Sequence, residues 1–211
     1  MGTVIVSNIV SLDGYVAGPD GDSTVLPMDE AFDAYNAERL RSAGTLLVGA
    51  RSYEGFAAFW SMALHEPERA ADAIVAQTGL DRAAVLTRLT TGADAEVARL
   101  NDAIAKVVVS DTLTADDLGA WRDSTTIVRR ADAAGHVAGL DGEVLTFGSR
   151  TTWNALLAAG AVDELHLMVG PVALGAGVPA FTGPVPPLTL AGTRRFDGSD
   201  NVVLRYLVTR R

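Results

Sequence analysis

The chain predicts an α/β fold: a mixed, mostly parallel eight-stranded sheet with helices on both faces and a C-terminal antiparallel hairpin. Apolar runs rich in Val, Ile and Leu recur about eight times, and helical spacing separates the first five, the alternation that builds a parallel sheet. Two of the runs pass through a glycine straight into a helix, at Leu46-Leu47-Val48-Gly49-Ala50-Arg51-Ser52 and at Leu145-Thr146-Phe147-Gly148-Ser149-Arg150-Thr151. The last two runs are broken by Thr189, Arg194 and Asp197, and Asp197-Gly198-Ser199-Asp200 separates them as a hairpin turn.

In chain order the strands are expected at Val4 to Ser11, Thr45 to Gly49, Val107 to Ser110, Thr125 to Val128, Val144 to Phe147, Leu165 to Val169, Leu188 to Phe196 and Val202 to Val208. Helices are expected at Asp29 to Ser42, Ser52 to Met62, Ala131 to Leu140 and Thr151 to Ala159. The stretch from Pro67 to Ala105 reads as two or three more, stopping and restarting at Thr78-Gly79-Leu80-Asp81 and Thr91-Gly92-Ala93-Asp94. No shift in composition marks a linker, so residues 1–211 read as one domain with a helical insertion at about 62–105. That insertion is an inert addition to the sheet periphery, a lid, or a dimer surface.

Composition removes several classes of function. The net charge of −9 opposes binding to nucleic acid or to an anionic membrane surface, both of which need clustered cations. Cysteine is absent, and His65, His136 and His166 have no metal-ligand spacing, so neither a thiol nucleophile nor a metal site is expected. No G-x-S-x-G elbow is present. The single lysine, Lys106, opens an apolar strand, where a solvated flanking charge is its expected role. Met1 leads at once into Val4 to Val10 without a basic leader or cleavage site, and no apolar run could span a bilayer, so a cytoplasmic protein is expected.

The glycine junctions carry the chemistry. A glycine there lets the chain turn sharply, and the first N–H groups of the following helix, at its positive dipole end, face an anion. Hydroxyl and guanidinium groups follow each glycine, Arg51 and Ser52 in one case and Ser149, Arg150 and Thr151 in the other. Both complement phosphate oxygens. Short glycine turns also join strands to helices with no ligand, and neither stretch is a G-x-G-x-x-G or Walker A motif. Two such sites in one domain point to a diphosphate-bearing ligand.

Five segments in order carry a resemblance: Ser11-Leu12-Asp13-Gly14-Tyr15-Val16-Ala17, Val48 to Glu54, Val107 to Ser110, Phe147-Gly148-Ser149, and Val162-Asp163-Glu164-Leu165 leading to Pro171 to Gly177. With them the chain resembles the dihydrofolate reductase-like superfamily, specifically the reductase domain of riboflavin-biosynthesis deaminase-reductases and its stand-alone bacterial relatives. The resemblance covers nearly all of the chain outside the stretch from Met62 to Ala105. It implies hydride transfer from NADPH to a pteridine- or pyrimidine-like heterocycle, usually in a homodimer. It places Ile9, Val16 and Ala17 near the nicotinamide, and Gly49, Arg51, Ser52, Ser110, Gly148, Ser149, Arg150 and Thr151 around the phosphates and adenosine.

The chain departs from that family at two positions. Relatives commonly carry Arg after the first junction glycine and a basic residue after the serine of the third strand; here these are Ala50 and Asp111. A carboxylate repels a 2′-phosphate but accepts hydrogen bonds from a free ribose hydroxyl, so both NADPH and NADH stand as candidate cofactors. Asp111 could equally cap the turn from Thr112 to Leu118. Reduction also needs a proton donor. Asp33, flanked by Phe32 and Tyr35, and Asp13 are the candidates; an exposed helix carboxylate and a turn residue are the respective alternatives. Asn8, Phe56 and Trp60 are expected to line the substrate pocket. The competing readings are a flavin- or deazaflavin-using reductase on the same fold and a non-catalytic nucleotide-binding protein.

Overall fold

The strands that the apolar runs predict assemble into one sheet because most have no polar face to show to water. In the computed structural model, which describes residues 2–209, the elements run β1 (Thr3–Val10), β2 (Tyr15–Ala17), α1 (Glu30–Ser42), β3 (Thr45–Gly49), α2 (Ala50–His65), α3 (Pro67–Thr78), α4 (Arg82–Thr91), α5 (Ala93–Ala103) and β4 (Ala105–Val109). A 3-10 segment (Ala115–Ser124) leads to β5 (Thr125–Val128), followed by α6 (Ala133–Ala138), β6 (Glu143–Phe147), α7 (Arg150–Ala158), β7 (Glu164–Val169), β8 (Val178–Pro179), β9 (Leu188–Phe196) and β10 (Ser199–Val208). The sheet has eight strands in the order β5-β4-β3-β6-β1-β7-β10-β9. All pairs from β5 to β7 are parallel, while β10 runs antiparallel to both β7 and β9. A second, small sheet pairs β2 with β8, an element too short for periodicity to reveal.

Alternation along the strands feeds two cores. Ile5, Leu46, Val48, Val108 and Leu145 face one way and pack with Ala37, Leu40 and Val97 of α1 and α5. Val4, Val6, Leu47, Val107 and Val144 face the other way, against Trp153, Leu156 and Leu157 of α7. Local signals set the helix ends. Asp29 caps α1 by accepting from the Phe32 N–H at 3.0 Å, Asp81 caps α4 through Ala84, and Pro67 occupies the first turn of α3.

The stretch at about 62–105 divides between two roles. Ala63 of α2, Ala70 and Ala71 of α3, Val85 and Leu89 of α4, and Ala98 of α5 form their own apolar cluster. The helix α5 also packs on α1 and α2 and sends Val97 into the core over the sheet. It is thus a structural neighbour of the cleft described below.

Lys106 corrects the expectation of a solvated flanking charge. Its residue is 1 % exposed, and its ammonium donates to the carbonyls of Asp102 (3.2 Å) and Ile104 (2.8 Å) and to Ser124 Oγ (3.1 Å). It also lies 4.5 Å from the centre of the Trp121 ring. Burial lowers its pKa to about 8. Sequence spacing cannot show this, because the 3-10 segment that supplies Trp121 and Ser124 closes over the strand from beyond it.

Candidate functional site

β3 and β6 are neighbours in the sheet, yet the helices that follow them leave to opposite faces, α2 with one core and α7 with the other. Diverging helices open a crevice at the carboxyl ends of these strands, where open α/β sheets bind ligands. A cleft of about 1090 Å³ lies there. It slightly exceeds the roughly 300–1,000 Å³ of a pocket for one drug-sized ligand.

The two glycine junctions form one structure. The Gly49 N–H donates to Ser149 Oγ at 3.0 Å, and the Ser149 N–H donates to Ser52 Oγ at 3.0 Å. Ser149 is held at φ 47°, ψ 37° as the N-cap of α7, and Gly148 before it has φ 52°. A side chain on Gly148 would be strained and would lie 3.8 Å from Phe56 Cζ. One on Gly49 would meet Thr152 Oγ1 at 2.6 Å. Two of the backbone donors are therefore engaged within the protein. The first N–H groups of α7, on Arg150 and Thr151, belong to residues that line the cleft and have no carbonyl one helical turn earlier to receive them.

The two walls differ. On the side of α1, α2 and α5 the lining is aromatic and amide-bearing, with Phe32, Asn36, Phe56, Trp60 and Asn101. On the side of α6 and α7 it is small, with Ala133, Ala134, Ala155 and Ala159 beside Arg130. Most residues singled out from sequence meet here: Asn8, Ile9, Val16, Ala17, Gly49, Arg51, Ser52, Phe56, Trp60, Gly148, Ser149, Arg150 and Thr151 all line the cleft.

Four do not. Asp33 is turned away into a cluster between helices, 2.6 Å from Arg88 Nη2, and Arg88 Nε lies 3.3 Å from Asp94. Burial first, and then the facing Asp94, push the Asp33 pKa up to about 8. Asp13 holds a loop together. Its carboxylate accepts from Ser11 Oγ at 2.6 Å and from the N–H groups of Leu174 and Gly175 at 3.1 and 2.7 Å, and the Ser11 and Gly175 bonds lower its pKa to about 2. Neither carboxylate is on the cleft, because each is committed to protein donors elsewhere.

Ser110 Oγ accepts from the N–H groups of Thr112 and Leu113, so Ser110 performs the turn-capping that was one reading of Asp111. Asp111 accepts from the Arg130 N–H at 3.0 Å and pairs with its guanidinium at 3.5 Å. It thereby reaches the cleft only through Arg130, a lining residue. Sequence reasoning missed Glu54, which is the sole carboxylate residue among those lining the cleft, together with Asn36 and Asn101. Glu54 closes the Val48 to Glu54 segment that contains the first glycine junction. Asn101 carried no signal, since only the docking of α5 brings it here.

A family model described as the RibD C-terminal domain matches residues 2–203. No curated protein matched the chain in sequence. Among solved structures, a riboflavin biosynthesis protein from Shewanella sp. PV-4 superposes with a TM-score of 0.64 at 18% identity, covering 99% of both chains. A pyrimidine reductase-like protein from Corynebacterium diphtheriae gives a TM-score of 0.58 at 18% identity, with 100% of this chain and 93% of that one covered. The diaminohydroxyphosphoribosylaminopyrimidine deaminase/5-amino-6-(5-phosphoribosylamino)uracil reductase of Thermotoga maritima gives 0.56 at 14% identity, covering 99% of this chain and 57% of the longer one. These likenesses concern the fold. Among the described residues no helix is long and apolar enough to cross a membrane, and no cluster of His, Cys, Asp or Glu has metal-site geometry.

Proposed function

The chain belongs to the RibD C-terminal domain family, and on that premise we propose that it is an NAD(P)H-dependent reductase of a pteridine- or pyrimidine-like heterocycle. The observation that carries this reading is the laced Gly49–Ser149–Ser52 junction at the point where α2 and α7 diverge. Its backbone stays close to the cleft because side chains are excluded at Gly49 and Gly148. Such a cradle fits a diphosphate. Arg150 and Thr151 bind it through the start of α7, Arg51 adds charge from α2, and the small wall of α6 and α7 takes a flat base.

When bound, the nicotinamide dinucleotide supplies the hydride. The chain's residues do the rest: Ile9, Val16 and Ala17 exclude water from one side of the transfer, and Phe56 and Trp60 orient the acceptor ring. Protonation of the acceptor falls to Glu54 and solvent, since Asp33 and Asp13 are engaged elsewhere. Asp111 neutralises Arg130 at the adenosine side, which makes NADH at least as good a donor as NADPH. We also propose a homodimer. The segment from Asp163 to Gly177 supplies its seam, and because β7 within it is interior to the sheet, the part that meets the partner is the loop from Pro171 to Gly177. A light-scattering mass that stays at 22.0 kDa across the micromolar range would refute the dimer.

Titration of the protein with NADPH, NADH and a reduced flavin tests the assignment. Saturable binding of a nicotinamide dinucleotide, lost on blocking the junction, is expected. Binding of the flavin alone would move the protein to a different redox cofactor, and binding of none would refute the reductase reading.

A further inference from the structure

Buried polar side chains normally find a partner. Among the described residues several have none within the protein, including Thr146 Oγ1, Trp153 Nε1 and Asn201 Oδ1, and two of these residues line the cleft: Asn8 and Asn101. Asn101 is the more constrained. It is 2 % exposed, and its Nδ2 donates to the Val97 carbonyl at 3.0 Å. A carbonyl can only accept, so this bond sets which way the amide faces. The nitrogen turns back along α5, and the unpartnered atom is the acceptor, Oδ1. Asn8, on β1, leaves a buried amide nitrogen without a partner on the same cleft.

A dry acceptor on a cleft that Phe56, Trp60 and Val97 also line discriminates strongly between ligands. A flat ring carrying an N–H satisfies it, whereas a ring of the same shape without one leaves it desolvated and unpaired. We propose that Asn101 is a specificity-determining residue of this site, whose Oδ1 accepts an amino or lactam N–H from the edge of the heterocycle. The ligand class is accordingly an amino- or oxo-substituted pyrimidine or pteridine with a free N–H. A bare aromatic ring, a quinone or a fully alkylated heterocycle is rejected. This inference rests on the heterocycle-reductase reading for its substrate class, but the residue's role is measurable without turnover.

The test is calorimetric binding of a diaminopteridine and of the matching dimethoxypteridine, which keeps the ring and removes the N–H donors, at a pH where both are neutral. Wild-type protein is expected to bind the diamino compound at least tenfold tighter, a difference of about 1.4 kcal/mol. Asn101→Leu is expected to abolish that preference by weakening the diamino compound alone, with dinucleotide affinity held within about twofold. Asn101→Ala, which adds no volume and suits a helix interior, gives the same reading should the Leu variant not fold. Equal binding of the two probes by wild type, binding of neither, or a preference that survives in a folded Asn101 variant would overturn the proposal. The dinucleotide arm tests the reductase reading and the pteridine arm tests Asn101, so either can fail without the other.

Discussion

Replacing Ser149 separates strain from hydrogen bonding at the centre of the site. Ser149 is the one non-glycine residue with positive φ among the described residues, and an L-residue held there costs about 1–2 kcal/mol. Its two bonds offset that cost: its hydroxyl receives the Gly49 N–H, and its own N–H reaches Ser52 Oγ. Ser149→Ala keeps the strain and strands the half-buried Gly49 N–H, so it should destabilise the fold by about 1–2 kcal/mol. Ser149→Gly loses the same bond but releases the strain, less about 0.5–1 kcal/mol for the extra freedom of glycine in the unfolded chain. It should therefore be more stable than the alanine variant, by up to about 1 kcal/mol. Both variants cut one of the two links between the junctions, keep the backbone N–H bond to Ser52 Oγ, and should weaken dinucleotide binding alike. Urea unfolding with unchanged m-values measures the stabilities, and titration measures the affinities. An alanine variant as stable as wild type, or a glycine variant weaker than alanine, would refute this account of the junction.

Other perturbations probe the rest of the cleft. Gly148→Val should raise the dinucleotide dissociation constant at least tenfold, about 1.4 kcal/mol, because a side chain would intrude toward Phe56; unchanged affinity in a folded variant removes Gly148 from the site. Asp33 keeps in the folded protein a proton that the unfolded chain releases near its ordinary value of 3.8, so its contribution to stability is full below that value and is lost as pH rises through about 8. Asp33→Asn should flatten the fall in unfolding free energy over that window and leave hydride transfer in place; an unaltered pH profile would show that Asp33 does not hold that proton. Asp111→Arg removes the partner of Arg130 and should shift the ratio of affinities toward NADPH by tenfold or more. A wild type with strong preference for NADPH contradicts the role assigned to Asp111.

The sheet was legible in the chain because most of its strands are apolar on both faces, and Val, Ile and Leu in unbroken runs have few other places to go. The glycine junctions were legible for a related reason: a sharp strand-to-helix turn is a local demand, and local residues meet it. The hairpin at Asp197-Gly198 is of the same kind, with Gly198 at φ 78°. Tertiary packing decided which polar groups reach the cleft. Asp33 and Asn36 lie one helical turn apart on α1, yet Arg88 of α4 draws the carboxylate into a cluster and leaves the amide on the cleft. Asn101 and Lys106 are five positions apart, and docking of α5 and of the 3-10 segment sends one to the cleft and seals the other under Trp121. Ser149, Ser52 and Gly49 bond across about 100 residues of chain. Periodicity names the face of an element that is buried; it carries no information on which distant side chain will stand opposite, and partners at that distance decide whether a carboxylate is a tether or a free group.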